Sequence, residues 1–290
     1  MTSVRDLLRV PPLSGHVDLA AVDARGTPGW GGGGKQQARA AVAELGPQLA
    51  SLQERLYAQG RTGGTRRVVL VLQAMDTGGK DGAVRRVVGL VDPAGVQITP
   101  FGPPTPEERA QEFLWRVERA LPPPGHLAVF NRSHYEDVRI VRVHDLVPPQ
   151  VWERRYDQIN AWEAGLVAQG VVLLKVFLHI SHEEQLARLL ARLDDPTKLW
   201  KVDAGDVDER AHWPAYQQAY GAVLGRCSTA AAPWYLVPAD RKWYRDWALA
   251  HLLLETLAEL DPQYPPRPDL DLPALRAALL APEGQGRGAG

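Results

Sequence analysis

The stretch that most limits how this chain can fold is residues 68–82, VVLVLQAMDTGGKDG. Residues 68–72 form an unbroken apolar run, the length of one strand covered on both faces. The run breaks at Asp76-Thr77-Gly78-Gly79-Lys80-Asp81-Gly82, and helically spaced apolar positions follow at Ala83, Val84, Val87, Val88, Leu90 and Val91. Strand, glycine-rich turn, lysine and helix make the layout of a phosphate-binding loop. Glycines let backbone N–H groups close around a phosphate, the helix N-terminus adds about half a positive charge, and the lysine reaches the outer phosphates. The alternative is an ordinary strand-to-helix turn with a solvated lysine. The fit to G-x-x-x-x-G-K-[ST] has two departures: Ala74 stands at the first glycine, and Asp81 at the Ser/Thr that would hold magnesium. Both point to carboxylates, Asp76 or Asp81, sharing the work with the metal.

The rest of the chain bounds what can surround such a loop. A length of 290 residues can bury a substantial core, as one large or two small domains. The net charge of −1 argues against a general nucleic-acid binder, so any basic site has to be local. The single cysteine, Cys227, excludes an internal disulfide framework and a cysteine-rich zinc site. The sequence holds no apolar run long enough for a membrane span, and its first residues lack the apolar core of a signal peptide. The expectation is a cytoplasmic protein with neither a membrane nor a nucleic acid as partner.

Taken in order, residues 1–34 are rich in Gly and Pro and read as an extended arm. A helical pattern over 35–57 puts Ala41, Leu45, Leu49, Leu52 and Leu56 on one stripe. Further strands are expected at 96–101, 127–130, 171–180 and 234–238, with the long apolar run 171–180 as the best central strand. Helices are expected over 105–121, 148–169, 181–193, 206–228, from Asp240 as cap onward, and over 272–280. Thr105-Pro106-Glu107-Glu108 and Ser181-His182-Glu183-Glu184 have the spacing of capping boxes. Residues 194–214 break the apolar pattern, and 282–290 are Gly-rich and expected to be disordered. Strands alternating with helices specify an α/β protein with a parallel sheet and helices on both faces. In such sheets ligands sit at the C-terminal strand ends, where residues 76–82 and 131–137 both fall.

Phosphoryl transfer needs positioned phosphates, a metal and cations on the transferring oxygens. Lys80 is the first cation, and Asp76 and Asp137, one from each strand end, are the metal-side carboxylates, with Glu136 and Asp81 behind them. Arg132 offers a planar fork that matches phosphate oxygens. His134 invites a general-base reading, but beside Tyr135 it reads as a packed or hydrogen-bonded residue. Arg85, Arg132, Arg188, Arg192, Lys198 and Lys201 gather on the same side. Four of them adjoin the stretch with no core-forming pattern, which suits a mobile lid over phosphates.

Together these residues resemble the type-2 polyphosphate kinase family. The motifs that carry the likeness are AMDTGGKDG at 74–82, FNRSHYEDV at 130–138, RYDQINAWE at 155–163 and RLDDPTKLWK at 192–201. The resemblance implies a three-layer α/β/α P-loop kinase fold with a five-stranded parallel sheet, spanning about 35–281, with a helical lid over about 181–213. It implies transfer between inorganic polyphosphate and the nucleotides AMP, ADP and ATP, with magnesium, or manganese in its place. The long helices and the N-terminal arm suit a homo-oligomer of two or four chains. Asp76, Lys80, Arg132, Asp137 and Arg192 are then the catalytic set, with Asp76 and Asp137 on the metal. Thr77, Gly78, Gly79, Lys80, Asp81, Gly82, Arg85, Arg188, Lys198 and Lys201 bind phosphate, and Asn131, Arg132 and Glu136 bind nucleotide. Many members carry Asp at the position of Asn131. The Asn form looks like the branch that phosphorylates both AMP and ADP. An ATP-dependent nucleoside-monophosphate kinase and a switch-type nucleotide-binding protein are the rival readings. The second of these needs a Ser/Thr magnesium ligand that position 81 does not supply.

Overall fold

The structure is a computed structural model that describes residues 2–281. The chain opens with α1 (Val4–Leu8) and the long α2 (Lys35–Arg61), then enters β1 (Arg67–Ala74) and α3 (Lys80–Val87). Next come β2 (Val96–Pro100), the short α4 (Pro106–Arg109) and α5 (Trp115–Arg119), β3 (Leu127–Asn131), α6 (Glu136–Val143) and α7 (Pro149–Ala168). It continues through β4 (Val171–His179), α8 (His182–Leu193), α9 (Gly205–Ala211) and α10 (Trp213–Cys227). The last elements are β5 (Trp234–Pro238), α11 (Lys242–Leu260) and α12 (Leu272–Leu280). The expected disordered tail, 282–290, lies outside the described residues.

All five expected strands form, and they pair in parallel in the order β2-β3-β1-β4-β5. The centre is β1; β4, expected there from its length, lies between β1 and β5. Apolar side chains on both faces of β1 explain its place: Val68, Val69, Leu70, Val71 and Leu72 are all fully buried. One helical layer gathers α1, α2 and α3 against α11; the other packs α6, α7 and α10 together. The sheet is thus covered on both sides. The chain leaves β1 toward β2 and later crosses back to β4, so the strand order reverses beside β1. That reversal opens a crevice at the C-terminal strand ends.

The arm acts as an edge cover. Arg9 forms an antiparallel bridge to Tyr235 of β5, and Val10 N–H donates to Trp234 O at 2.9 Å. Farther along, Val17 N–H donates to Gly221 O at 3.0 Å. An exposed sheet edge invites pairing with other chains, and the arm occupies it.

Three expected elements form differently. The helix expected over 105–121 splits into α4 and α5; the Thr105–Glu108 capping box does form, but it starts only a four-residue helix. The helix expected over 206–228 breaks into α9 and α10 at His212, because Pro214 lacks the N–H a continuous helix needs there. Asp240 does not cap α11, whose N-cap is Arg241. Its carboxylate instead accepts from Ser181 N–H and Oγ–H, both at 2.8 Å, at the start of α8. Ser181 Oγ in turn accepts from Glu184 N–H at 3.1 Å, so the second capping box is half formed. Among the described residues no helix is long and apolar enough to cross a membrane.

Candidate active site

The turn between β1 and α3 is built for close approach. Gly79 sits at φ +99°, and a Cβ on Gly78 would come within 2.4 Å of the Ala74 side chain. Thr77, although β-branched, is also left-handed at φ +61°, a strain of about 1–3 kcal/mol that the surroundings must hold. They do so with cations: Arg188 Nη1–H donates to Thr77 O at 3.0 Å and Arg245 Nη1–H to Gly79 O at 3.1 Å. Behind the loop, Tyr220 O–H donates to Ala74 O at 2.8 Å.

Above this turn lies a cavity of about 1160 Å³. Eleven lysines and arginines line it against five carboxylates, an excess of six positive charges on a chain whose net charge is −1. The basic site is therefore local, as the charge balance required. Its walls come from the β1–α3 turn, the β3–α6 segment, α8 and the segment after it, and α11.

Lys80 opens α3 with its ammonium 3.5 Å from Ala74 O. Burial pushes that ammonium down to about 8, although Asp76 opposes the fall. Burial alone would raise the Asp76 carboxyl, but Lys80 and Arg132 outweigh it and hold the group below the ordinary range. Arg132 reaches Asp76 Oδ1 at 3.2 Å from a left-handed backbone, φ +66°. Two non-glycine residues lining the cavity, Thr77 and Arg132, thus hold left-handed backbones. Asp81 lies at the rim, where Lys201 Nζ donates to it at 2.7 Å and Asn131 Nδ2 at 3.2 Å. The Lys201 hydrogen bond, foremost, holds its carboxyl low.

Most of the residues singled out from the sequence come together here. The whole turn 76–82 lines the cavity, with Arg85, Asn131, Arg132, Arg188, Arg192, Lys198 and Lys201. Arg188, however, is nearly buried, and protein acceptors take most of its donors: Glu184 Oε1 at 2.7 Å, Ala239 O at 2.6 Å and Asp240 O at 3.2 Å besides Thr77. It braces the turn and leaves one Nη1–H for a ligand.

Asp137 and Glu136 do not line the cavity. They begin α6, an unexpected helix whose cavity face is Arg139 and Ile140. Asp137, two residues from Arg139, turns the other way: its carboxylate lies 3.7 Å from both Arg116 and Arg155, and burial raises it to about 6. Glu136 is ion-paired with Arg139 in the interior. The expected pairing of Asp76 with Asp137 about one metal, and a direct nucleotide contact by Glu136, are not the geometry seen. His134 is buried and hydrogen-bonded to Glu163 at 3.1 Å, as its neighbourhood suggested.

Sequence reasoning missed Arg139, Lys242 and Arg245, which all line the cavity. Lys242 and Arg245 follow the C-terminal end of β5. The rule that ligands gather at such ends could have found them.

Comparison with known proteins places this geometry. The model of the family Polyphosphate kinase 2 (PPK2) matches residues 33–265. The AMP/ADP-polyphosphate phosphotransferase of Meiothermus ruber is 49% identical over 257 residues, covering 89% of this chain and 94% of that one. The ADP-polyphosphate phosphotransferase of Rhodopseudomonas palustris is 41% identical over 245 residues, covering 80% and 82%. The crystal structure of polyphosphate kinase 2 from Arthrobacter aurescens TC1 superposes with a TM-score of 0.91 at 47% identity, covering 96% of each chain. A P-loop-like turn under a cation-rich cavity and a match over most of the length lead to one conclusion: the chain belongs to the polyphosphate kinase 2 family.

Proposed function

We propose that this enzyme transfers phosphoryl groups between inorganic polyphosphate and nucleotides, making ADP from AMP and ATP from ADP. The observation that carries the reading is the excess of six positive charges around the Lys80 turn. A nucleotide ending at three phosphates needs fewer partners than this; a long polyanion can use them all. The relatives named as AMP/ADP- and ADP-polyphosphate phosphotransferases support the same reading.

The turn amides and Lys80 hold the transferring phosphoryl group, and Arg132 lies on its oxygens. Arg192, Lys198 and Lys201 neutralise the donor chain from the lid, residues 181–213, which belongs with the sheet to one kinase domain. Asn131 stands at the rim for the nucleotide. Magnesium, or manganese in its place, is the metal of this proposal. Asp76 and Asp81 both face the cavity with carboxylate oxygens, and among the described residues no group of three or more His, Cys, Asp or Glu forms a cage. One or two carboxylates beside substrate phosphates and water is the donor set that suits magnesium, so the residues fit. When bound, the metal would neutralise charge on the transferring oxygens. The reading also places the chain in the cytoplasm as a homo-oligomer, with light scattering as its check. Exposed leucines at 272, 275 and 279 of α12 are the apolar surface that motivates self-association.

The test is product formation from AMP and from ADP, with magnesium and either polyphosphate or ATP as donor. ADP and ATP made from polyphosphate are expected. Turnover with ATP alone would promote the nucleoside-monophosphate kinase reading.

A further inference from the structure

Between β4 and α7, lining none of the cavity, lies a fully buried polar network. Lys175 stands mid-strand in β4, between Val71 of β1 and Trp234 of β5. Its ammonium donates to Glu163 Oε2 at 2.6 Å, Cys227 O at 2.7 Å and Tyr135 Oη at 2.9 Å, which uses all three hydrogens. Glu163 Oε1 accepts from Tyr135 O–H at 2.7 Å and lies 3.1 Å from His134 Nε2. A carboxylate only accepts, so His134 carries its proton on Nε2, and its Nδ1 is left buried without a partner. Burial keeps that imidazole neutral, and Lys175 helps keep Glu163 ionised against its own burial.

Such a pair is not explained by stability, because replacing both buried partners with apolar side chains is often neutral or better. Its connections explain it better. His134 and Tyr135 follow directly on the Arg132 turn, whose left-handed backbone is otherwise held by Arg132 N–H on Leu72 O at 3.1 Å and Gln73 on Ser133 Oγ at 3.2 Å. Helix α7 grips the same segment a second time, through Arg155 Nη1–H on Asp137 O at 2.8 Å. Arg155 and Glu163 bracket the 155–163 motif, to which the functional reading gave no role.

We propose that Glu163 and Lys175 are positioning residues, which act through Tyr135 and His134 to hold segment 131–137 so that Arg132 keeps its backbone and its guanidinium stays in the cavity. The inference rests on the transfer activity proposed above for its rate readout, and on backbone exchange for a readout independent of it.

The experiment compares the parent with the double variant Glu163→Gln/Lys175→Met, which removes both charges together, each in the presence and absence of Arg132→Ala. The double variant is expected to stay folded and lose about tenfold in kcat with polyphosphate and ADP, with KM for ADP changed less than about threefold. Amides of 131–137 should exchange about tenfold faster while those of β1 do not change. On the Arg132→Ala background the same two substitutions should cost less than about twofold, because their effect runs through Arg132. Parent-like kcat and exchange in a folded double variant, or an equal loss with and without Arg132, would overturn the proposal. Tyr135→Phe removes one hydroxyl and strands no charge, so it guards against a double variant that fails to fold. It should lower kcat about threefold and loosen the same amides; no change in either would also overturn the idea. A parent enzyme without polyphosphate turnover would sink the functional reading alone, and exchange of 131–137 would then decide this one.

Discussion

The floor of the cavity and the segment after α8, which the proposal makes part of a lid, follow neighbouring parallel strands, β1 and β4, and both carry cations, yet they hold them in opposite ways. In the floor the acceptors of the turn are tied down by protein: Arg188 on Thr77 O, Arg245 on Gly79 O, Tyr220 on Ala74 O and Gln185 on Asp76 O. In the lid, Lys198 pairs with Asp195 and Lys201 with Asp81 at the surface, and Trp200 is 79% exposed. Exposed pairs of this kind are worth little and are readily exchanged for another anion. In the proposed transfer the floor is the part preorganised for the transition state, where fixed charge lowers a barrier most. In the same proposal the lid keeps its cations on weak partners that a phosphate chain would replace.

The contrast is sharpened most by Lys80→Ala. Loss of a preorganised cation should cut kcat by about a hundredfold or more in a protein whose circular dichroism is unchanged. A near-parental rate would place the transferring group elsewhere. Asp76→Asn keeps the shape and removes a charge; kcat should fall by about tenfold to a hundredfold and the metal concentration for half-maximal rate should rise. If the metal dependence stays parental, Asp81 becomes the leading ligand.

A pH profile separates the regions without a mutation that could disturb the fold. In the proposed transfer Lys80 acts as a cation, and burial pushes its ammonium down to about 8, so activity should be full below that value and fall above it. Between pH 7 and 9 the charged fraction, and with it kcat/KM, should drop about tenfold. Lys80→Arg should flatten this limb, because a guanidinium stays charged. The smallest effects belong to the lid: Lys198→Ala and Lys201→Ala should each raise KM for polyphosphate about twofold to fivefold and leave kcat near the parent value. A lid variant that loses kcat as Lys80→Ala does would erase the distinction between the two regions.

Much of this was legible beforehand because strand periodicity and glycine punctuation report backbone directly. Five strands, the turn 76–82 and the segment 194–214 all stood out as breaks or runs in apolar pattern. What stayed hidden depends on which way short elements face. Asp137 looked like a metal ligand by its place after a strand end, but α6 starts at Glu136 and turns it toward Arg116 and Arg155. Arg245 sits one turn into α11, where nothing in the local pattern says that its guanidinium reaches back across 166 residues to Gly79 O. Lys175 broke an apolar run without signalling its partner, since Glu163 lies on another layer of the fold.

The most direct test of the whole reading is polyphosphate affinity as a function of chain length, measured with the metal at two salt concentrations. Floor and lid cations that line one path should give affinity that rises with each added phosphate until the path is filled. It should weaken as salt screens the exposed lid charges over about 10 Å at about 0.1 M. Affinity that levels off at three phosphates and ignores salt would contradict a polyanion path and leave the cavity to a nucleotide alone.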